Sequence, residues 1–293
     1  MRKFDPLIAL LTNLLLFTSI SYGSAIVAGF DSTTDGRNDD GTYTTGGCSN
    51  PASGGTCPGT AVPIGFGIDY YGQTFNSLYV NTNGNVTFDA PLPFVQGILQ
   101  SGGFLEAYDD IVAPFFADVD TRGTGTVSFG SGTFDGYQAF GVTWNQVGYF
   151  DEETDKTDTF QVLLVDRPDE GPGDFEVVFN YGSIQWETGD ADYGTDGLGG
   201  YSAIAGFTDG SGNPANTFEL PGSSVPGSFI DGGPNALGSN SLNSNVPGRY
   251  IFNFVDGAPV STPEPGTLSV MTAALVLLVF FRTRRLRTPV THR

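Results

Sequence analysis

Carboxylates are the side chains of this sequence best placed to do chemistry. Asp118 and Asp120 stand two apart, with Asp109 and Asp110 upstream and Arg122 just after. In an extended strand residues i and i+2 share a face, so the pair is a start towards the six to eight oxygens that calcium takes. The same Asp-x-Asp spacing also opens turns, with Arg122 as the ion partner, and this simpler reading is preferred. Further acids gather at Asp151-Glu152-Glu153-x-Asp155 and at Asp190-x-Asp192, followed by Asp196-Gly197. Neither group carries the bidentate glutamate that an EF-hand needs at its twelfth position, so both read as solvated acidic loops. Calcium, held by Asp118 and Asp120, is the one cofactor these residues suggest.

Other chemistry is excluded by what is missing. The only histidine is His292, six residues beyond Leu286 at the far end of the chain. Residues 26–262 therefore hold no Ser-His-Asp triad, no Cys-His pair and no histidine-based metal site. A carboxylate-only hydrolase needs just two acids at a set separation, and with so many acids available a pair proves nothing. The expectation is a protein that is not an enzyme. Trp144, Trp186, Tyr149 and Tyr193 could stack on a sugar. Both tryptophans lie in strand-like runs and belong to a core, which leaves Tyr149, Phe150 and Tyr193 near loops, with Tyr149 and Tyr193 as the ligand-binding candidates.

The two ends of the chain place these residues outside the cytoplasm. Arg2 and Lys3 precede an apolar segment from Leu7 to Ile20, and small residues follow at Gly23, Ser24 and Ala25. Residues 1–25 thus read as a secretory signal peptide, cut after Ala25 or, nearly as well, after Gly23. In an exported protein Cys48 and Cys57 are expected to close a small disulfide loop, worth about 2–3 kcal/mol in the chain-entropy model. At the other end stand Pro263-Glu264-Pro265, an apolar run from Leu268 to Phe281, and arginines at 282, 284, 285 and 287. Fourteen residues make about 21 Å of helix, short for a hydrocarbon core of about 30 Å. The basic cluster marks the cytoplasmic side.

Between these ends lie five basic residues and thirty of the 32 acidic ones, a net charge of −25 over residues 26–262. Such a body repels nucleic acid and anionic surfaces, and nucleic-acid binding is excluded. Aromatic residues make up 13% of the chain, enough to bury a core and to separate this acidic body from a disordered one. Forty-two glycines and 18 prolines point to many turns and short strands.

The elements that must position the acids are strands. Leu78-Tyr79-Val80 and Val86-Thr87-Phe88 flank Asn83-Gly84, which predicts a hairpin with a two-residue type I′ turn. Strands are also predicted at Ile111–Ala117, Gly125–Phe129, Tyr137–Tyr149, Thr159–Asp166, Phe175–Tyr181, Ala203–Phe207 and Tyr250–Phe254, with one helix-permissive patch at Gly103–Tyr108. Phe160, Val162 and Leu164 point one way while Gln161, Leu163 and Val165 point the other, so this strand is central and covered on both faces. The fold class is all-β: an antiparallel sandwich or partly open barrel with long loops, plus one C-terminal hydrophobic helix at 268–281. Residues 26–63 read as an irregular extension, 64–255 as the β-domain and 256–262 as a linker.

Two resemblances follow from these residues. The Pro-Glu-Pro triplet, short apolar run and basic end (residues 263–287, with the basic tail running to 293) resemble the PEP-CTERM sorting signal of Gram-negative bacteria. That resemblance implies processing by an exosortase near Pro263, Glu264 and Pro265, an inner-membrane intermediate with a cytoplasmic tail, and a link to exopolysaccharide and biofilm. Within the body, Ile111–Arg122, Val142-Thr143-Trp144-Asn145-Gln146-Val147, Asp158–Leu164, Phe179–Trp186, Ala205-Gly206-Phe207 and Phe218–Ser223 resemble the nidogen-type extracellular domain, NIDO, over residues 109–224. Tyr79–Gly84 fits the segment that usually precedes it. The second resemblance implies an adhesive, non-enzymatic module of matrix and cell-surface proteins. The alternative is a carbohydrate-binding module for the extracellular polysaccharide, aided by calcium.

Overall fold

Period-two alternation of apolar side chains makes strands wherever one face can be buried, and most of the chain obeys it. The structure, a computed structural model, describes residues 24–45 and 59–260. In chain order the first strands are β1 (Thr33–Thr34), β2 (Val62–Tyr70), β3 (Gln73–Asn81), β4 (Asn85–Thr87), β5 (Ile111–Phe116) and β6 (Val119–Asp120). The long ribbons β7 (Thr126–Phe134), β8 (Tyr137–Tyr149), β9 (Glu153–Asp166) and β10 (Phe175–Tyr181) follow. Then come β11 (Gly194–Thr195), β12 (Leu198–Gly199), β13 (Ile204–Thr208), β14 (Thr217–Glu219), β15 (Arg249–Val255) and β16 (Ala258–Pro259). The strands expected at 137–149 and 175–181 form with those bounds.

Apart from the small pair β11-β12, these strands build two antiparallel sheets. One runs β1-β7-β8-β9-β10-β15-β16, with β6 added to β8, and the other runs β14-β13-β5-β4-β3-β2. Their inner faces share one core that takes Val80, Val112, Phe115 and Phe207 from one sheet and Trp144, Phe160, Val177 and Phe252 from the other. Phe160, Val162 and Leu164 face that core, while Leu163 and Val165 face a second cluster with Phe30, so β9 is central and covered on both sides as expected. Phe30 comes from the N-terminal segment, which docks rather than dangles: β1 pairs with β7, and the Tyr43 N–H donates to the Val80 carbonyl at 2.9 Å.

The strand that matters most for the acids is β5. All six of its residues are buried. Val112 and Phe115 face the shared core, while Ile111, Ala113 and Phe116 pack under Val95, Leu99 and Phe104. That cover comes from a short helix, α1 (Gln96–Ser101), and a 3₁₀ turn at Phe104–Glu106 within the patch expected to permit helix. Proline inside a central strand is unusual because it lacks a ladder donor. The pairing of β13 with β5 skips register between Ile204 and Gly206, opposite Pro114, and that irregularity accommodates it.

One local expectation is corrected. Asn81 pairs with Asn85, so the β3–β4 connection is the three-residue loop Thr82-Asn83-Gly84, not a two-residue turn. Only Gly84 takes positive φ (71°), whereas a type I′ turn needs it at both central residues. The reason is tertiary. Gly84 abuts β5, and a Cβ there would lie 1.6 Å from the Phe115 carbonyl oxygen. The C-terminal helix at 268–281, the Cys48–Cys57 pair and the segment 1–23 lie outside the described residues. Among those described, no helix is long and apolar enough to cross a membrane.

The Gly84 contact gives a direct test. Gly72 also has positive φ (83°), but a Cβ there meets open space. Gly72→Ala should cost about 1–2 kcal/mol, the left-handed backbone strain alone. Gly84→Ala should cost at least twice as much, because Cβ and a strand carbonyl cannot both stay in place. Urea titrations of the two variants measure this, and equal losses would show that the turn does not rest on β5.

Candidate functional site

The chain changes sheets immediately after β5, and the acids gather at that crossing. Ala117 and Asp118 connect β5 in one sheet to β6 in the other. The Val119 N–H returns to the Ala117 carbonyl at 2.9 Å and to Asn83 Oδ1 at 2.8 Å, which closes a three-residue turn around Asp118. This turn breaks the strand alternation, so Asp118 and Asp120 do not act as one pair.

Asp120 is fully occupied. Its carboxylate takes Arg122 Nε at 3.0 Å and Nη2 at 2.5 Å, the Arg122 N–H at 2.8 Å and the Glu152 N–H at 2.9 Å. The preferred reading of Asp120 as a turn acid paired with Arg122 describes this arrangement. Asp109 and Asp110 stand at the opposite end of β5 and keep company with Asp89 and Asp209 instead.

Asp118 has different neighbours. Oxygens of Asp39, Asp40 and Asp118 all lie within 4.8 Å of one another. Asp118 is 1% exposed, and neither of its oxygens has a hydrogen-bond partner among the protein's groups. Asp192, in the 3₁₀ turn Asp190–Asp192, is also fully buried with both oxygens unpartnered. Asp39 Oδ2 reaches Arg122 at 3.4 Å while its Oδ1 has no partner, and Asp40 Oδ1 accepts from Asn83 at 2.9 Å. Asp192 was expected in a solvated loop. It is buried because residues 182–203 fold back over the crossing, with the Asp190 N–H donating to the Phe150 carbonyl at 3.1 Å.

Crowding and burial hold these acids towards their protonated forms. Burial, then Asp39, Asp40 and Asp192, raises Asp118 well above the carboxylate range. Burial, with Asp40 and Asp120 nearby, pushes Asp39 up to about 7 against the pull of Arg122. Burial and Asp40 push Asp192 up to about 6. Asp40 is raised by burial against its bond from Asn83. One guanidinium, already held by Asp120, does not neutralise four carboxylates.

The aromatic candidates separate. Tyr149, expected at the surface, is buried: its ring packs 5.4 Å from Trp186 and its hydroxyl donates to Asp155 at 2.8 Å. It has no face left for a sugar. Tyr193 is 73% exposed and meets Tyr201 edge-on, at 71° between planes, so the two make no flat platform. Trp144 and Trp186 are core residues, as expected, with indole N–H groups donating to the carbonyls of Thr82 (2.8 Å) and Val147 (3.1 Å). Pro263, Glu264 and Pro265 lie outside the described residues.

A pH dependence follows. Each raised carboxylate binds its proton more tightly folded than unfolded, so its contribution to stability is complete below about 4 and is lost as pH rises through the folded value. The groups held low, such as Asp169 at about 2, finish their opposite contribution below that window. With divalent cations chelated, stability should therefore fall between about pH 4 and pH 7. Urea midpoints across this range measure it, and a midpoint that climbs would contradict the crowded-acid geometry.

Comparison with known proteins meets the same segments. Residues 76–256 match the nidogen-like domain. Alpha-tectorin of Homo sapiens is 33% identical over 71% of this chain and 10% of its own length. Alpha-tectorin of Gallus gallus is 29% identical over 69% of this chain and 10% of its own. Nidogen of Drosophila melanogaster is 32% identical over 67% of this chain and 15% of its own. The chain thus spans only 10–15% of the length of these relatives. No solved structure matches. The matched region covers more than half of the chain and takes in most strands of both sheets together with the crossing at Asp118, and so the chain belongs to the nidogen-like domain family.

Proposed function

We propose that this protein is a non-enzymatic, exported adhesive module of the cell envelope or extracellular matrix. The observation that carries this reading is family membership through a domain that makes up most of the described chain. A body of net charge −25 supports an extracellular setting that repels nucleic acid and favours divalent cations. The sorting signal at 263–287 supplies the route: exosortase recognition of Pro263-Glu264-Pro265 from an inner-membrane intermediate, then release towards exopolysaccharide or biofilm.

Two features of the geometry favour this reading over a hydrolase at the sheet crossing or in the apolar cavity. A glycosidase needs carboxyls about 5–9.5 Å apart with a sugar between them. Asp39 and Asp118 approach within 4.8 Å, and Asp118 is closed off from solvent. The apolar cavity of about 380 Å³ beside Tyr71, Phe207, Phe218 and Phe252 has no carboxylate in its lining. Of the carbohydrate-binding candidates, Tyr193 alone keeps an open face.

The N-terminal packing supports the second of the two cleavage points expected for the signal peptide, after Gly23. Ala25 is buried, its N–H donates to the Tyr181 carbonyl at 3.3 Å, and its carbonyl accepts from Arg249 Nη2 at 3.0 Å. Cleavage after Ala25 would remove all three contacts, whereas cleavage after Gly23 keeps them. Intact mass of the native protein should therefore give a chain that begins at Ser24 and ends near Pro263–Pro265. Deleting the sorting protease should leave residues 266–293 in place and the protein in the inner membrane. A full C-terminus in cells that hold the protease would reduce the tail to an anchor, and a first residue of Ile26 would show that Ala25 is dispensable.

A further inference from the structure

The carboxylates at the sheet crossing come from three segments far apart in the chain. Asp39 and Asp40 follow β1 in the N-terminal segment, Asp118 sits in the turn between β5 and β6, and Asp192 belongs to the loop over them. Burying a carboxylate without a donor or counter-charge is among the costliest arrangements in a fold. Here it occurs twice: Asp118 and Asp192 are both under 2% exposed and all four of their oxygens lack partners. Among the described residues no salt bridge reaches Asp40, Asp118 or Asp192, and Arg122 is divided between Asp39, Asp120 and Asp151. The asymmetry between Asp120, saturated by donors, and Asp118, with none, is not a general property of acidic loops.

We propose that Asp39, Asp40, Asp118 and Asp192 form a calcium site that pins the N-terminal segment and the 182–203 loop onto the sheet crossing. Two oxygens on opposite sides of calcium, each at 2.3–2.6 Å, are about 5 Å apart, so the oxygens of Asp39, Asp40 and Asp118, gathered within 4.8 Å, can share one ion, with Asp192 the fourth acid beside them. The donor set is all oxygen, which suits calcium and not zinc, for which imidazole or thiolate is usual. Ligands drawn from three separate segments also suit calcium's flexible coordination better than magnesium's rigid octahedron. Asn83 holds Asp40 from one side and Val119 from the other, which aims the acids at one another. The site does not depend on the adhesive reading, since it rests on geometry alone.

The test uses the full chain in mild detergent, stripped with chelator and titrated with calcium chloride at constant ionic strength. Calorimetry should find one site with a Kd of about 10⁻⁴–10⁻³ M or tighter, the range of extracellular modules and sensors. The melting temperature should rise by about 3–10 °C at ten to a hundred times that Kd. Asp118→Asn keeps the shape and removes the charge. It should melt at or above the wild-type temperature without calcium and lose the calcium response. Asp192→Asn, should Asp118→Asn fail to fold, is expected to behave the same way, while the exposed Asp196→Asn retains the full response. The proposal is overturned by no binding heat and no shift at about 10 mM calcium. An equal shift with magnesium, or an undiminished shift in Asp118→Asn, overturns it as well.

Discussion

The contact of Phe115 with Phe160 and Trp186 is the interaction on which the rest of this structure depends. Phe115 projects from one sheet, Phe160 from the other, and their rings meet at 5.1 Å. Trp186, at the root of the loop that carries Asp192, meets Phe115 edge-on at 5.6 Å. Trp144 stacks on Phe160 at 5.1 Å and donates its indole N–H to the Thr82 carbonyl, which fixes the loop of Thr82-Asn83-Gly84. Aromatic rings bury more area per residue than any other side chain, so this cluster sets the distance between the sheets. The crossing at Asp118 is only three residues from Phe115. Its acids cannot spread without breaking the aromatic layer.

The acids therefore face a constraint imposed by apolar packing. Asp118 and Asp192 are shut off from solvent because residues 182–203 fold back over the crossing. The N-terminal segment contributes to this cover twice. Phe30 closes the outer face of β9, and Asp39 and Asp40 come to the crossing a few residues later. Among the described residues, most other buried acids keep at least some donors. Glu187 takes the N–H groups of Gly227 (2.5 Å) and Phe229 and so holds down the long loop 223–247. Against that background the bare oxygens of Asp118 and Asp192 stand apart.

Family membership and the physical reading meet at the same place from different directions. The nidogen-like match runs through Asn83, Asp118 and Asp192, whereas Asp39 and Asp40 lie before its first residue, 76. The N-terminal segment is thus outside the matched region yet structurally joined to it. A module that adheres at a surface benefits from a rigid frame, because binding surfaces on ordered elements lose less entropy on contact. The sandwich, with its covered strands and pinned loops, supplies such a frame.

The alternation of Phe160, Val162 and Leu164 with Gln161, Leu163 and Val165, the strands at 137–149 and 175–181, the core fate of Trp144 and Trp186, and the pairing of Asp120 with Arg122 were legible from residue order. Each depends on neighbours within a few positions, where period-two patterning and turn chemistry act. The three-residue loop at Gly84, the burial of Tyr149 and the meeting of Asp39, Asp40, Asp118 and Asp192 were not. Gly84 answers to a carbonyl 31 positions away, Tyr149 to Trp186, and Asp118 to acids more than seventy residues distant on either side. Local patterning says which face of a strand is apolar. Only the folding of one sheet onto the other, driven by the burial of those faces, decides which charges are left together in the dry space between them.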